Sequence, residues 1–377
     1  MDVGQLNLRH LQVVAKIGRL GSIRAAADAV GLTQPAITQA LGKLERQLGI
    51  ALFERRPDGM AGTRASDLMT PRIEAALGHV GSTRVTMAQL GALIAVAREG
   101  SYSGASAVTG LSEPSLHRAV GDLSIALNRR LVERRGRGIV LSEAGKRTAR
   151  GFRLARAELE AGLSEITALL GRETGRVTIG AMPLSRARLL PAAVTAFHKQ
   201  YPAVEIRIVE GSHAELLEPL RDGEIDFLIG ALRSPSPGGD VEQTVLFDDR
   251  PVVIGRVGHP ISTPDIEQLA SYPWTISAPG TPLRTLWERM FEQAGVAPPR
   301  VPVECGSVIA IRQILRDSDF LTLLSPDQVA VELEAGWLCN IGDAPGDLRR
   351  TIGITTRTDW RPTAMQTGFL EMVKRVT

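Results

Sequence analysis

Gln34, Thr38, Gln39 and Lys43 share one outward stripe of a segment whose apolar residues Ile37, Leu41, Leu44 and Leu48 recur at helical spacing. Amide, hydroxyl and ammonium groups in a row on a helix can reach base edges and phosphates in a DNA major groove. Covalent chemistry has no comparable support. The chain holds no G-x-S-x-G elbow, no Walker A loop and no paired carboxylate motif. The serine and histidine of "GSHAE" are adjacent, so they diverge on a helix. No catalytic residue is expected, and the chain does not read as an enzyme. Six scattered histidines and two cysteines, Cys305 and Cys339, lack metal-ligand spacing. Neither a metal nor another cofactor is expected, and both thiols read as reduced.

The elements that carry this stripe occur twice. "LTQPAITQALGKLERQLGIALFER" at 32–55 returns without a gap as "LSEPSLHRAVGDLSIALNRRLVER" at 111–134, a shift of 79 positions. Leu8, Leu11, Val14 and Ala15, matched by Met87, Leu90, Leu93 and Ile94, predict a first helix. Ser22 or Ser101 then caps a short helix rich in small residues, ending near Val30 or Thr109, and Gly31 or Gly110 suits the turn after it. The outward stripe follows on a helix capped by Thr33 or Ser112, with Pro35 or Pro114 in its first turn. In the second copy the buried face is Leu116, Val120, Leu123 and Leu127.

Helix, short helix, glycine turn and capped helix make a helix-turn-helix. The first 56 residues, through "LRHLQVVAKIGRLGSIRAAADAVGLTQPAITQALGKLERQLGIALFER", resemble the winged helix-turn-helix of LysR-type transcriptional regulators. The resemblance implies a double-stranded DNA partner. The residues expected at the DNA are Ser22, Thr33, Gln34, Pro35, Thr38, Gln39, Lys43, Arg55 and Arg56. In the second copy they are Ser112, His117, Arg118, Arg135 and Arg137. The copies depart from the family in complementary ways. Copy one keeps the recognition helix but has "RRPDGMAGTRASD" where the family has an R-G-x-x-L-T-E-A-G type wing. Copy two keeps the wing as "RRGRGIVLSEAGKR" but places Glu113 where glutamine is usual, and a carboxylate faces phosphate badly. Either both copies read DNA, or only copy one does and copy two is structural.

Residues 1–150 hold 21 Lys and Arg against 12 Asp and Glu, while the remainder holds 23 against 29. This basic front half fits a polyanion partner, although an Arg-rich solvated surface would show the same charge. After copy two, Phe152, Leu159 and Ile166 repeat every seven residues, with Arg156, Leu163 and Leu170 as the companion series. By resemblance this is the linker helix that pairs two subunits, so a homodimer or homotetramer is expected, with Phe152, Leu159, Leu163, Ile166 and Leu170 at the seam. The alternative is an amphipathic helix lying on its own chain. Copy one has no equivalent in this reading: residues 67–80 form a shorter helix interrupted by Pro71 and ending at Gly78, which leaves copy one on the outside.

From Arg176 short apolar strands alternate with helices, which predicts parallel α/β sheets with ligands at strand carboxyl ends. This half resembles the effector-binding region of the same family, a two-lobed fold like the type 2 periplasmic binding proteins. The candidate contacts for a small organic effector sit where strands end, at Ser185, Ser212, Ser277, Thr281, Arg284 and Ser307. Hydroxyls and N–H groups at helix starts suit an anionic or polyhydroxylated one. Of these, Ser185, Ser212 and the 277–281 loop match family positions that line the effector cleft. Arg284 is the residue expected to pair with a carboxylate.

The fold class is therefore multidomain. Copy one spans 1–80, copy two 84–145, the linker helix 146–171 and the effector domain 175–377. Lobe I takes about 175–248 plus 345–377, and lobe II about 249–344. No apolar run approaches a membrane span, so no membrane partner and a cytoplasmic location are expected. A plain solute-binding protein would need a signal sequence and no helix-turn-helix.

Overall fold

The computed structural model describes residues 3–136 and 138–377. They form two compact units, Met1–Gly175 with Asp222–Glu224 and Arg176–Arg221 with Ile225–Thr377. Arg137, expected among the DNA contacts, lies outside the described residues.

In the first unit one succession of elements occurs twice. Helices α1 (Leu8–Leu20), α2 (Ile23–Val30) and α3 (Gln34–Leu48) lead to the hairpin β1 (Phe53–Arg56) and β2 (Gly59–Gly62), then to α4 (Arg64–Val80). The second succession is α5 (Met87–Glu99), α6 (Tyr102–Thr109), α7 (Glu113–Leu127), β3 (Val132–Arg135), β4 (Gly138–Leu141) and α8 (Glu143–Leu169). Ser22 and Thr33 cap α2 and α3 by accepting from Ala25 and Ala36 N–H, as Ser101 and Ser112 do for α6 and α7. Ile37, Leu41, Leu44 and Leu48 are buried, as are Leu116, Val120 and Leu123. Both copies share a single apolar core.

The altered hairpin sequence of copy one makes the same hairpin. Phe53 faces Gly62 as Val132 faces Leu141, in identical register. Gly59, at φ 142°, lets the strand lie against the Gly21 carbonyl, which accepts from Met60 N–H at 2.8 Å.

The helix after copy one overturns two expectations. It does not stop at Gly78: α4 runs from Arg64 to Val80 through Pro71 and ends at Gly81. An interior proline costs ~3 kcal/mol, which the burial of Met69, Ile73, Ala76 and Val80 offsets. Those residues pack on α8 of the same chain. The seam expected to await a second subunit is therefore filled from within. Phe152, Leu159 and Ile166 are 1%, 1% and 2% exposed, and Leu163 is half-buried against the same core. Leu170 is 46% exposed and follows the last helical residue. Copy one is thus packed through its own long helix rather than left outside.

The second unit has two lobes. The first holds β5 (Gly175–Ala181), α9 (Leu189–Gln200), β6 (Val204–Glu210), α10 (His213–Arg221), β7 (Phe227–Ala231) and β8 (Val241–Asp249). The chain then builds the second lobe from β9 (Val252–Arg256), α11 (Ile266–Ala270), β10 (Thr275–Ile276), α12 (Pro282–Gln293), β11 (Val303–Glu304), α13 (Val308–Arg316), β12 (Thr322–Leu324), α14 (Ala330–Glu334) and β13 (Leu338–Asp343). It returns to the first lobe as β14 (Arg350–Arg357) and α15 (Ala364–Arg375). Each lobe has its own core, around Phe197, Phe227 and Phe369 in one and Trp274, Trp287 and Phe291 in the other.

The sheets are not uniformly parallel: the five-stranded sheet is mixed, β12-β9-β13 is antiparallel and β10-β11 is parallel. In the order β6-β5-β7-β14-β8, β5 and β7 are parallel, but β14 runs antiparallel to both its neighbours. The cause is the crossing between lobes: β8 leaves for the second lobe and β14 comes back from it, so they run in opposite directions. Arg350 Nε meets Asp249 Oδ2 at 2.6 Å across this exit, with Asp249 buried and Arg350 partly so.

Candidate nucleic-acid interface and ligand site

Gln34, Thr38, Gln39 and Lys43 are all exposed along α3, opposite its buried face. None has a hydrogen bond or ion pair among the described residues. Thr33 and Pro35 are exposed at the helix start, and Ser22 is partly exposed at the start of α2. Glu45 fixes the hairpin to the helix: its Oε1 accepts from Leu52 N–H at 2.7 Å and Phe53 N–H at 3.2 Å. Arg55 and Arg56 are exposed on β1, so helix and hairpin present donors as one rigid piece. Lys43 also acts inward. Together with the larger effect of burial it lowers the pKa of His10.

Copy two keeps the geometry and changes the groups. Glu113, His117, Arg118 and Asp122 are exposed on α7 at the positions of Gln34, Thr38, Gln39 and Lys43. The His117 ring stacks on Tyr102 at 3.5 Å between centroids, which braces it on the surface. Ser112 caps α7, and its hydroxyl lies 2.8 Å from that of Ser115. Arg135 is exposed on β3.

In the second unit the loops leaving β5, β6 and β7 gather at one edge. Met182 N–H donates to Ile229 O at 3.1 Å, and Gly211 N–H to Ala181 O at 3.4 Å. The serines expected there serve the backbone. Ser185 is buried and donates to Met182 O at 2.8 Å, while Ser212 caps α10 through Glu215 N–H. In the second lobe β10 and β11 are parallel, which places Ser277, Thr281 and Ser307 at one edge. The Ser277 and Thr281 hydroxyls lie 2.7 Å apart, Thr281 caps α12 and Ser307 caps α13. Arg284, expected to meet a ligand carboxylate, keeps its buried Nη1 without a hydrogen-bond partner. Its Nε pairs with Glu288 at 2.8 Å, and the guanidinium lies over the Trp287 ring at 4.8 Å. Among the described residues no His, Cys, Asp and Glu cluster could hold a metal, and no helix is long and apolar enough to cross a membrane.

Comparison with known proteins decides the family. Residues 170–377 match the LysR substrate binding domain, and residues 8–66 and 87–146 each match the bacterial regulatory helix-turn-helix of the lysR family. The chain belongs to the LysR family of transcriptional regulators. It is 27% identical over 391 residues to the HTH-type transcriptional regulator GalR of Pseudomonas putida, covering 100% of this chain and 98% of that one. A full-length OxyR variant from Pseudomonas aeruginosa shares the fold with a TM-score of 0.57 at 21% identity, over 78% of this chain and 94% of that one. CbnR, solved with its target DNA, gives 0.56 at 18% identity over 77% and 99%. The structures leave uncovered a stretch about as long as one repeat, whereas the match to GalR spans both.

In this LysR-family chain the first lobe holds two further groups at its strand ends. Arg233, just after β7, is half-buried, and among the described residues no carboxylate pairs with it. Its guanidinium donates to Ala231 O at 3.5 Å, and burial lowers its pKa. His213 opens α10 with Nε2 buried and without a hydrogen-bond partner. Burial, then the nearby charges of Arg233 and Arg221, hold its pKa below the usual value. The sequence reading, which places hydroxyls and Arg284 at strand ends, names neither residue. The same placement rule applied to "IDFLIGALR" would have found Arg233.

Proposed function

We propose that this regulator reads DNA through α3, with Gln34, Thr38, Gln39 and Lys43 at base edges and phosphates. The β1–β2 hairpin serves as the wing that carries Arg55 and Arg56 to the flanking backbone, and α4 and α8 serve as linker helices. The supporting observation is the α3 stripe itself: four donor-bearing side chains, exposed together, with no hydrogen bond or ion pair among the described residues. The test is a titration of labelled duplex from upstream of the protein's own gene at several salt concentrations. Affinity is expected to fall linearly with log salt, and Gln34→Glu to weaken binding about tenfold or more. Salt-independent binding, or an inert Gln34→Glu, would remove this reading.

The α/β unit is proposed to bind a small organic anion as its effector. Arg233 supports this, because a half-buried cation beside an unpartnered His213 is relieved by a carboxylate. Ser212, Ser277, Thr281 and Ser307 supply hydroxyls and helix starts at the same strand ends. A thermal-shift screen of organic acids, sugars and neutral aromatics checks it. Acids alone should raise the melting temperature, and Arg233→Met should abolish the rise. Stabilisation by neutral sugars that survives Arg233→Met would refute it.

A further inference from the structure

The contacts between α4 and α8 obey a rule that the repeat makes visible. Arg72 Nη1 meets Glu158 Oε2 at 3.3 Å. A β-carbon added at Gly151 would fall 2.6 Å from the His79 carbonyl oxygen. Shifted by 79 positions, Arg72 becomes Gly151 and His79 becomes Glu158. These two contacts are therefore the same contact with the copies exchanged, and the helices run antiparallel about a pseudo-twofold axis. Ala76 and Ala155, equivalent under the same shift, are both buried beside that axis.

The pairing is also selective. Arg72 is buried between Glu158 and Glu165 of α8. Two α8 helices paired in the same way would set Glu158 against Gly151, and two α4 helices would set Arg72 against His79. Each like pairing strands a buried charge, and only the unlike pairing matches charge to charge.

We propose that one chain is a complete two-headed DNA reader. Copies one and two, clamped by α4 and α8, engage two adjacent half-sites of one duplex without a second subunit. The half-sites differ because the heads differ. Gln34 and Gln39 suit adenine, whereas Arg118 suits guanine and Glu113 or Asp122 accepts from cytosine. This rests on the proposed reading of DNA by α3 and adds a second reader with its own sequence preference.

Hydroxyl-radical footprinting of the upstream duplex, with the mass of the complex measured in parallel, tests it on the full chain. Two adjacent protected half-sites per bound chain are expected. Gln34→Glu should erase one and Arg118→Glu the other, each lowering affinity about tenfold. Both residues are exposed, so folding is preserved. Inserting about half a helical turn of DNA, ~5 bp, between the half-sites should also weaken binding. One half-site per chain with an inert Arg118→Glu overturns this proposal and leaves reading by α3 intact. An inert Gln34→Glu overturns both.

Discussion

Position for position, α3 shows the solvent Gln34, Thr38, Gln39 and Lys43 where α7 shows Glu113, His117, Arg118 and Asp122. Inward, Ile37, Leu41 and Leu44 face the core where Leu116, Val120 and Leu123 do. Burial holds apolar character in both copies, because a polar group there would lose its water without gaining a partner. The outward face carries no such constraint. The long helices diverge differently, since their buried residues change in matched pairs across the axis. Arg72→Met breaks this comparison at its strongest point. It leaves Glu158 and Glu165 without their shared cation and should cost ~3–5 kcal/mol in urea denaturation, most of it regained in Arg72→Met with Glu158→Met. A loss under ~1 kcal/mol would mean that the ion pair does not organise the two copies.

The attachment of the two hairpins differs as well. Glu45 accepts two backbone N–H groups at the start of β1, but its counterpart Ser124 donates to Val120 O on its own helix. Glu45→Ala should therefore cost ~1–3 kcal/mol, whereas Ser124→Ala stays within ~0.5. Equal losses would show that the hairpins are held alike. A charge exchange sharpens the contrast at the DNA. Lys43→Asp should weaken duplex binding about tenfold and reduce the salt slope by ~1, while Asp122→Lys should tighten binding and raise the slope by ~1. Fluorescence anisotropy across a salt series reads both.

Much of this molecule is legible in its sequence because periodicity and capping are local. The caps at Ser22, Thr33, Ser101 and Ser112, and the buried faces of α3 and α7, follow from spacing alone. The pairing of α4 with α8 does not, because Pro71 reads as a break and only tertiary burial keeps that helix whole. In the effector unit the strands found from alternation with helices include β5, β6 and β7. The return of β14 between β7 and β8, antiparallel to both, is not legible there, because its direction follows from the crossing between lobes. Arg284 is legible only in part: its ion pair with Glu288 lies one turn along the same helix, but the burial of its unpartnered Nη1 depends on tertiary packing.

The finest difference between the copies lies at the ends of α3 and α7. Gly49 closes α3 at φ 73° and Asn128 closes α7 at φ 50°, both left-handed. Among the described residues Asn128 is the one non-glycine in that region. Asparagine tolerates the conformation better than other side chains, yet glycine adopts it with no β-carbon penalty. Asn128→Gly should therefore stabilise the protein by under ~1 kcal/mol, and Gly49→Ala should cost about that much. Calorimetric melting of the two variants checks the pair. If Asn128→Gly destabilises instead, the asparagine amide contributes to closing α7, and the two caps are held by different means.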